Sequence, residues 1–300
     1  MVLEINNYNL NKYKAININN KIYSASSPSF GSIKTLKDDL FQRNTKFPDV
    51  TIKSGNCYGV FTDSNMDSEL YLANLWGNSS EGEHKGDGTK IIQCGVKESI
   101  KRGYNGKMAV WAVASLPFYY KSNFNFQHGD VRDAILQYVI KNDISPQDVI
   151  PHYWSANMKL DEEGAQAILD GNRLYKDRIY IKAGEKSING TKHSSNFIQS
   201  PFKGEYFILI ADEEEKQPVF IASIKEKEND KGKKHFTITD ISYEYRPNKE
   251  NTSFAIETIE KLAKEKNYDK TTVEDSPMIK KVLDKYDIQY EVENKKNASI

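Results

Sequence analysis

The sequence has few cysteines and histidines, the residues in which disulfide-rich and metal-binding proteins are rich. It has two cysteines, Cys57 and Cys94, in 300 residues. Neither the cysteines nor the five scattered histidines have the spacing of a metal site. We therefore expect two free thiols, no metal ion and a reducing, cytoplasmic location.

Long apolar runs and an excess of charge of one sign are also missing. No stretch approaches the ~20 apolar residues that span a bilayer, and the N-terminus has no apolar run typical of a signal peptide. Lys plus Arg and Asp plus Glu both number 42, so the formal net charge is zero. A neutral chain has no general electrostatic attraction to nucleic acid or to anionic membranes. We expect neither of these as a partner, and no membrane segment.

The composition that is present suits packed domains. Hydrophobic residues make up 38% of the chain and aromatic residues 11%, which is sufficient for hydrophobic cores. A chain of 300 residues is long for one domain of ordinary size and fits two.

The first half contains a readable order of elements. Apolar runs predict buried strands, and a 3.6-residue apolar period predicts a helix. The order is a strand, a polar glycine-rich loop, a helix, a second strand and a short aromatic helix, over Ser68–Trp76, Gly77–Gly88, Thr89–Arg102, Lys107–Val113 and Leu116–Phe124.

The loop before the first helix has the features of an anion site. A glycine-rich turn that runs into a helix leaves backbone N–H groups unpaired, and the helix dipole adds partial positive charge. Gly86 and Gly88 would allow a phosphate or pyrophosphate to approach the backbone, and Lys85 would add a charge. The alternative is an ordinary capped turn whose glycines serve only the backbone conformation.

These segments together resemble a known family. LYLANLW, HKGDGTKII, KESIKRGYNGKMAVWAV and LPFYYKSNF follow the order and spacing of the core of the GNAT family of N-acetyltransferases. The family's loop, Arg/Gln-x-x-Gly-x-Gly/Ala, corresponds to residues 83–88, where Glu83 replaces the Arg or Gln. A carboxylate at this position would repel phosphates unless it turned to solvent.

The last helix carries a second part of the resemblance. The family's pattern Ala-x-x-Phe-Tyr-x-Lys-x-Gly-Phe is matched at Phe118, Tyr119, Lys121 and Phe124, whereas Asn123 replaces the glycine. The resemblance implies that the tyrosine protonates or stabilises a leaving thiolate. The alternative is that Tyr119 only belongs to an aromatic cluster that covers the sheet.

The resemblance implies a co-substrate and a set of site residues. It implies that acetyl-CoA donates an acetyl group to a primary amine, on a small molecule or a protein lysine, by direct attack on the thioester. Glu69 is either a general base or a solvated carboxylate at the start of a strand. The backbone around Leu75, Trp76 and Gly77 would polarise the thioester carbonyl. The pyrophosphate would be bound by Lys85, Gly86, Asp87, Gly88 and Thr89.

The second half repeats the order of elements and resembles a degenerate second copy. Strands, a helix, a short strand, a helix and a final strand are predicted over 205–212, 217–225, 235–245, 254–266, 271–274, 278–286 and 289–292. Lys249 and Asn251 occupy the positions of the two loop glycines, and Leu283 occupies that of Tyr119. We therefore expect this copy to keep the fold without the acetyl-CoA chemistry.

The predicted fold class is α/β, with two GNAT-like domains that each consist of a mixed, mostly antiparallel sheet flanked by helices. We assign residues 1–128 to an acetyl-CoA-binding domain, 129–200 to a helical connecting region and linker, and 201–300 to the degenerate domain. The connecting region contains predicted helices over 130–141 and 160–169, and a polar loop over 184–200.

The predicted function is acetyl-CoA-dependent N-acetylation. The alternative is a non-catalytic protein-binding scaffold built from degenerate acetyltransferase domains. Trp76 and Trp111 alternate with apolar neighbours, so we expect both to pack on the sheet rather than to contact a substrate.

Overall fold

A computed structural model of the chain describes residues 2–4, 14–16, 47, 49–55, 57–63, 69–76, 86–113, 115–151, 154–229, 231–245 and 247–293. The chain forms two compact units. Unit 1 comprises Met1–Phe124 and Ser155–Arg173, and unit 2 comprises Asn125–Trp154 and Leu174–Ile300. Each unit has one mixed, mostly antiparallel sheet with helices against it, which confirms the predicted α/β class.

Unit 1 is built on a seven-stranded sheet. In chain order its strands are β1 Val2–Glu4, β2 Lys14–Ile16, β3 Val50–Ser54, β4 Cys57–Asp63, β5 Leu70–Trp76, β6 Met108–Val113 and β7 Ser155–Leu160. Its helices are α1 Asp87–Lys101, α2 Leu116–Lys121 and α5 Glu162–Leu169. The strand order is β2-β1-β3-β4-β5-β6-β7, antiparallel except for the parallel pairs β1–β3 and β5–β6.

Two glycines let α1 pack closely on this sheet. A Cβ atom on Gly59 of β4 would lie 2.6 Å from Ile91, and one on Gly95 of α1 would lie 2.5 Å from the ring of Phe61. Either methyl group would push the helix away from the strands. Ile91 and Phe61 are fully buried in the resulting contact, so the sheet fixes the position of α1.

A buried group of charges ties the end of α1 to β4. Arg102, which follows α1, donates to Asp63 at 2.6 Å and to Glu98 at 2.9 Å. The side chains of all three are at least nine-tenths buried. Asp63 also accepts a hydrogen bond from the backbone N–H of Phe47 at 3.0 Å. Each buried carboxylate therefore has a partner, which is the condition under which such groups are tolerated.

Unit 2 is built on a six-stranded sheet. Its strands are β8 Tyr180–Ile188, β9 Thr191–Gln199, β10 Glu205–Asp212, β11 Gln217–Glu228, β12 Lys234–Ile241 and β13 Thr271–Val273. Its helices are α3 Val131–Lys141, α4 Pro146–Val149, α6 Lys249–Glu265 and α7 Pro277–Lys285, with 3₁₀ turns at Leu174–Lys176 and Tyr243–Tyr245. The strand order is β13-β12-β11-β10-β9-β8, and only the pair β12–β13 is parallel.

Helices cover both faces of the second sheet. Side chains of α6 and α7 form one hydrophobic core with the face that carries Ile208 and Ile224. Asn142, at the end of α3, donates to the hydroxyl of Tyr180, which in turn donates to Asn196 on the other face. Successive side chains of a strand point to opposite faces, so Phe207 lies on the α3 face.

The region between residues 129 and 200 differs from the predicted connecting segment and linker. The segment 184–200, predicted as a polar loop, lies in the hairpin β8–β9, whose two-residue turn Asn189–Gly190 has positive φ at both positions. Such turns match the twist of a hairpin. The second predicted helix, 160–169, begins only at Glu162, because the residues before it form β7.

The predicted segmentation 1–128, 129–200 and 201–300 also differs from the two observed units. β7 pairs with β6 along its whole length, from Met108 opposite Leu160 to Val113 opposite Ser155. This pairing places β7 and α5 in unit 1. Helix α3 contacts β9, β10 and β11 and belongs to unit 2. Among the described residues, no helix is long and apolar enough to cross a membrane.

The buried charges of unit 1 generate a stability prediction. Arg102→Ala would leave Asp63 and Glu98 buried without their guanidinium partner, so we expect the free energy of unfolding of unit 1 to fall by ~3–5 kcal/mol. Urea denaturation followed by circular dichroism measures this loss.

The neighbouring residue provides a control for the same carboxylate. Lys101 also pairs with Glu98, at 3.5 Å, but its side chain is 69% exposed. Lys101→Ala should therefore cost less than about 1 kcal/mol. If the two variants lost equal amounts of unfolding free energy, the buried ion pairs of Arg102 would not be more stabilising than the exposed pair of Lys101.

Candidate functional site

The parallel strands of unit 1 separate part-way along their length. β5 and β6 are paired over three residues, from Leu70 opposite Met108 to Leu72 opposite Val110. Beyond this point β5 continues to Trp76 and stays paired to β4, while β6 continues to Val113 and stays paired to β7. The backbone N–H and C=O groups of a strand point alternately to its two sides. Beyond Leu72 and Val110, some of these groups therefore face the gap between β5 and β6.

A β-bulge coincides with the point of separation. Phe61 of β4 lies opposite Leu72, whereas the preceding Val60 lies opposite Asn74. Ala73 is therefore an extra residue in β5. A bulge bends its strand and increases the local twist, which directs the end of β5 away from β6. The site is a cleft at the carboxyl ends of two parallel strands, where α/β proteins commonly bind ligands.

The side chains at the cleft are exposed. Trp76 at the end of β5 and Trp111 of β6 are each 55% exposed, and Val113 is 56% exposed. The ring of Trp76 stacks on Tyr58 of β4, with centroids 5.9 Å apart. The prediction that the tryptophans pack on the sheet therefore holds for one side of Trp76, while about half of the surface of each ring is exposed.

Helix α1 begins beside this cleft, after the loop that follows β5. Its N-cap is Gly86, whose φ of 102° favours glycine, and no side chain of the described residues caps the first turn. A Cβ atom on Gly86 would meet none of the described atoms within 4 Å, so the described part of the chain leaves open space beside the first backbone N–H groups of α1. An uncapped helix start with open space beside it suits an anion.

Asp87 does not face that space. Its carboxylate is buried and accepts a hydrogen bond from the Ser54 hydroxyl at 2.8 Å, and Lys90 lies 3.3 Å from the same oxygen. The aspartate therefore anchors the helix start to β3. Because its charge is directed into these contacts, it is compatible with an anion at the backbone amides.

Gly88 is required for packing rather than for a positive φ angle. A Cβ atom there would lie 3.1 Å from the ring of Phe118 in α2. The glycine therefore lets α2 pack against the first turn of α1. Both helices start at the carboxyl ends of the parallel strands β5 and β6. The contact of Gly88 with Phe118 brings their N-terminal halves together at this end of the strands.

Tyr119 of α2 is buried near this end of the strands. Its ring makes edge contacts with Phe118 and Phe124, with centroids 5.2 and 5.5 Å away. Burial, with a further contribution from Tyr71 of β5, raises the pKa of Tyr119 to about 12. The phenol is therefore protonated at neutral pH, as a proton donor must be.

The structure does not bring Glu69 to the cleft. Glu69 precedes β5, at the opposite end of the strand from Trp76, and pairs with Lys159 of β7 at 3.3 Å. It is buried rather than solvated. Five strand residues span roughly 16 Å, so Glu69 is too far from the gap to take a proton from a substrate there. Gly77 and Lys85 lie outside the described residues.

The remaining site residues are placed as follows. Leu75 is half-buried and lies opposite Gly59, and Thr89 lies in the first turn of α1. Sequence reasoning missed Tyr71, which affects Tyr119, and Ser54, which holds Asp87. No local pattern marks either residue, because each contact joins elements that are distant in sequence. Within the part of the chain that the structure describes, no cluster of His, Cys, Asp and Glu has the size of a metal site.

Unit 2 has the same break in register but a different helix start. Ile224 of β11 lies opposite Ile238, and Ser223 lies opposite Asp240, so Thr239 is a bulged residue directly after the parallel pairs of β12 with β13. The N-cap of α6 is Asn248, whose side chain accepts from the backbone N–H of Asn251 at 2.8 Å. This helix start therefore satisfies one of its own first-turn amides with a side chain.

Comparison with known proteins gives only distant structural likenesses. No protein-family model and no curated protein sequence matches the chain. A solved structure described as a probable acetyltransferase is similar with a TM-score of 0.27 and 10% identity, over 64% of this chain and 95% of that one. Glucosamine-6-phosphate N-acetyltransferase from Arabidopsis thaliana is similar with a TM-score of 0.24 and 11% identity, over 59% of this chain and 96% of that one.

The contacts of Asp87 generate a prediction about Cys57. Burial, and then the negative charge of Asp87, raise the pKa of the Cys57 thiol. Only the thiolate reacts with disulfide reagents. Asp87→Asn should lower this pKa and make Cys57 react several-fold faster at about pH 8, near the ordinary pKa of a thiol. Rates with a chromogenic disulfide measure the effect.

A second variant separates charge from local opening of the helix start. Ser54→Ala breaks the same hydrogen bond but leaves the carboxylate in place, so the rate should stay close to that of the unaltered protein. An equal acceleration in both variants would show that access, and not charge, controls Cys57.

Proposed function

We propose that unit 1 binds acetyl-CoA and transfers its acetyl group to a primary amine. The observation that carries this proposal is the gap between β5 and β6. It is supported by the start of α1, which no side chain of the described residues caps, and by the contact of Gly88 with Phe118, which packs the helix of the buried Tyr119 against that start. The gap offers unpaired backbone groups to an extended chain such as the pantetheine arm, and the amides of Gly86–Thr89 offer donors to its pyrophosphate. The resemblance in sequence supports the same assignment.

Acetyl-CoA, when bound, supplies a thioester whose carbonyl carbon the amine nitrogen attacks as the carbon–sulfur bond breaks. Tyr119 donates its phenolic proton to the departing sulfur, which leaves as a thiol, and the phenolate then regains a proton from solvent water. Backbone N–H groups of β5 beyond Ala73, around Leu75 and Trp76, stabilise the negative charge that develops on the carbonyl oxygen. The amine's proton passes to solvent water, since Glu69 is too distant to receive it.

The second unit is not proposed as an acetyl-CoA site. The side chain of Asn248 already accepts from the Asn251 N–H in the first turn of α6, so an anion would have to displace it from this donor. In addition, the buried Leu283 of α7 takes the position in sequence order that Tyr119 has in unit 1. The acceptor is an amine on a small molecule or on a protein, and the geometry favours neither.

Binding of the co-substrate is tested by thermal unfolding with acetyl-CoA. At ~100 times its Kd, a ligand of the native state stabilises it by about 2.7 kcal/mol, so the unfolding temperature of the chain should rise. Absence of a shift at millimolar acetyl-CoA would favour the scaffold interpretation instead.

The two ends of α1 provide a matched pair of variants for this measurement. Gly86 and Gly103 both have positive φ, and neither would place a Cβ within 4 Å of another atom. Gly86→Ala and Gly103→Ala should each cost ~1–3 kcal/mol of stability through backbone strain. Only the first should also weaken acetyl-CoA binding; equal affinities in the two variants would place the pyrophosphate elsewhere.

The role of Tyr119 is tested by removing its hydroxyl group alone. Tyr119→Phe should lower kcat by ~10²–10⁴-fold and leave the Kd for acetyl-CoA unchanged, since the lost interaction exists only while the thiolate leaves. The loss should shrink at high pH, where the thiolate leaves without a proton.

The adjacent tyrosine is the control for this variant. Tyr120 is buried, at 1% exposure, and points about 100° away from Tyr119 around the helix. Tyr120→Phe should lower the unfolding temperature but not the kcat of the folded enzyme. A silent Tyr119→Phe would remove the tyrosine acid from the mechanism.

A further inference from the structure

Unit 2 contains a cavity that the proposed chemistry does not use. It has a volume of ≈ 280 Å³, which is far more than one water requires and close to the lower end of small-ligand pockets. The cavity lies beside the β-bulge at Thr239, on the sheet face that α3 covers, and His128 lines it from the segment before that helix.

The floor of the cavity is made by side chains of three neighbouring strands. Glu205 of β10 lies opposite Lys225 of β11, and Ser223 of β11 lies opposite Asp240 of β12. Residues 223 and 225 are two apart and therefore share a face. The four polar side chains consequently project into the same space.

The charges in this space do not balance. Glu205 is satisfied, because Lys225 lies 2.9 Å and the His128 ring nitrogen 3.1 Å from the same carboxylate oxygen. Asp240 is half-buried and has no ion pair among the residues that the structure describes. Burial raises the pKa of its carboxyl, against a smaller opposing effect of the backbone N–H of Ile241. Two carboxylates thus face one lysine ammonium.

A buried hydroxyl next to Asp240 lacks a partner. Ser223 is 4% exposed, and its Oγ atom has no hydrogen bond within the described part of the chain. A buried hydroxyl without a partner is destabilising. Directly opposite residues of neighbouring strands have Cβ atoms about 5 Å apart, so one donor placed between Ser223 and Asp240 can reach both oxygens.

We propose that this cavity is a binding site for a primary ammonium group, on a free alkylamine or at the end of a lysine side chain. The ammonium donates one hydrogen bond to the Asp240 carboxylate and one to Ser223 Oγ, and its charge balances that of Asp240. Lys225 and Glu205 neutralise each other beside it and restrict the space along the sheet. The stem of the ligand leaves past His128, whose side chain is 66% exposed at the mouth.

The site is one of binding and not of acetyl transfer. It lies on the α3 face, whereas the side chains of α6 and α7 form the core on the other face, and the start of α6 is already capped by Asn248. The inference therefore does not rest on the activity of unit 1, and either of the two can fail without the other.

The test uses the full chain and calorimetric titration with two pairs of probes. The first pair is 1,5-diaminopentane and the neutral 1,5-pentanediol. The second is a capped tripeptide with a central lysine and the same peptide with norleucine. Only the amine-bearing member of a pair should bind. Binding of the diamine alone identifies a free amine as the ligand, and binding of the lysine peptide identifies a protein side chain.

Two variants then assign the binding to this cavity. Asp240→Asn should weaken the amine at least ~10-fold, because it removes a charge-assisted hydrogen bond. Ser223→Ala should weaken it ~2–10-fold and yet raise the unfolding temperature of the ligand-free protein, since the unsatisfied hydroxyl is gone. Glu215→Gln and Ser187→Ala, at exposed positions of the same unit, should change neither quantity.

Ser223→Ala is the decisive variant, because it should weaken amine binding while it raises the unfolding temperature of the ligand-free protein. Failure of both amines to bind at millimolar concentration overturns the proposal. So does binding that is unchanged in Asp240→Asn and Ser223→Ala, or equal binding of the diol and the diamine.

Discussion

A single extra residue, Ala73, lies at the point where the two parallel strands of unit 1 separate. β6 is held by a regular ladder to β7, and β5 is held to β4 through a bulge. The two halves of the sheet therefore cannot remain parallel neighbours beyond Leu72, and they part. The position of α1 depends on the same strands, since Gly59 and Gly95 set its distance from the sheet and Arg102 fixes its far end. The position of the cleft between β5 and β6 and the position of the start of α1 thus both depend on β4 and β5.

The second sheet repeats that arrangement and combines it with other side chains. Its bulge at Thr239 also follows the last parallel pair, but here the partner strand β13 ends at that point, whereas in unit 1 both strands continue. In unit 1 no side chain of the described residues caps the accompanying helix start, whereas in unit 2 Asn248 caps it. The bulge of unit 2 lies at a cavity that is lined by the buried Ser223 and by Asp240, which has no ion pair within the described part of the chain. Similar backbone geometry is therefore combined with different side chains in the two units.

The sequence predicted those elements whose apolar residues have a clear period, and it failed where burial is polar. β5, α1 and β6 were predicted within two residues of their observed ends. β9 was predicted as a loop because Ser195 and Asn196 are hydrophilic, yet both are buried and hydrogen-bonded, to Thr258 and to the carbonyl of Leu209. The bulges were not predictable, because the register of a strand depends on its neighbour. The position of Glu69 relative to the cleft was not predictable either, because sequence distance does not tell which end of a strand faces the cleft.

The chain passes between the two units three times, and this order has a consequence for synthesis. β7, which completes the first sheet, is translated only after α3 and α4, which belong to the second unit. On the ribosome, β6 must therefore wait as an open edge strand while helices of the other unit emerge. Those helices wait in turn for β9, β10 and β11. Exposed edges are the regions at which nascent chains associate wrongly. The nascent protein therefore holds one unfinished sheet together with two helices whose own sheet has not yet been made, and the edge of β6 stays exposed from the emergence of β6 until that of β7.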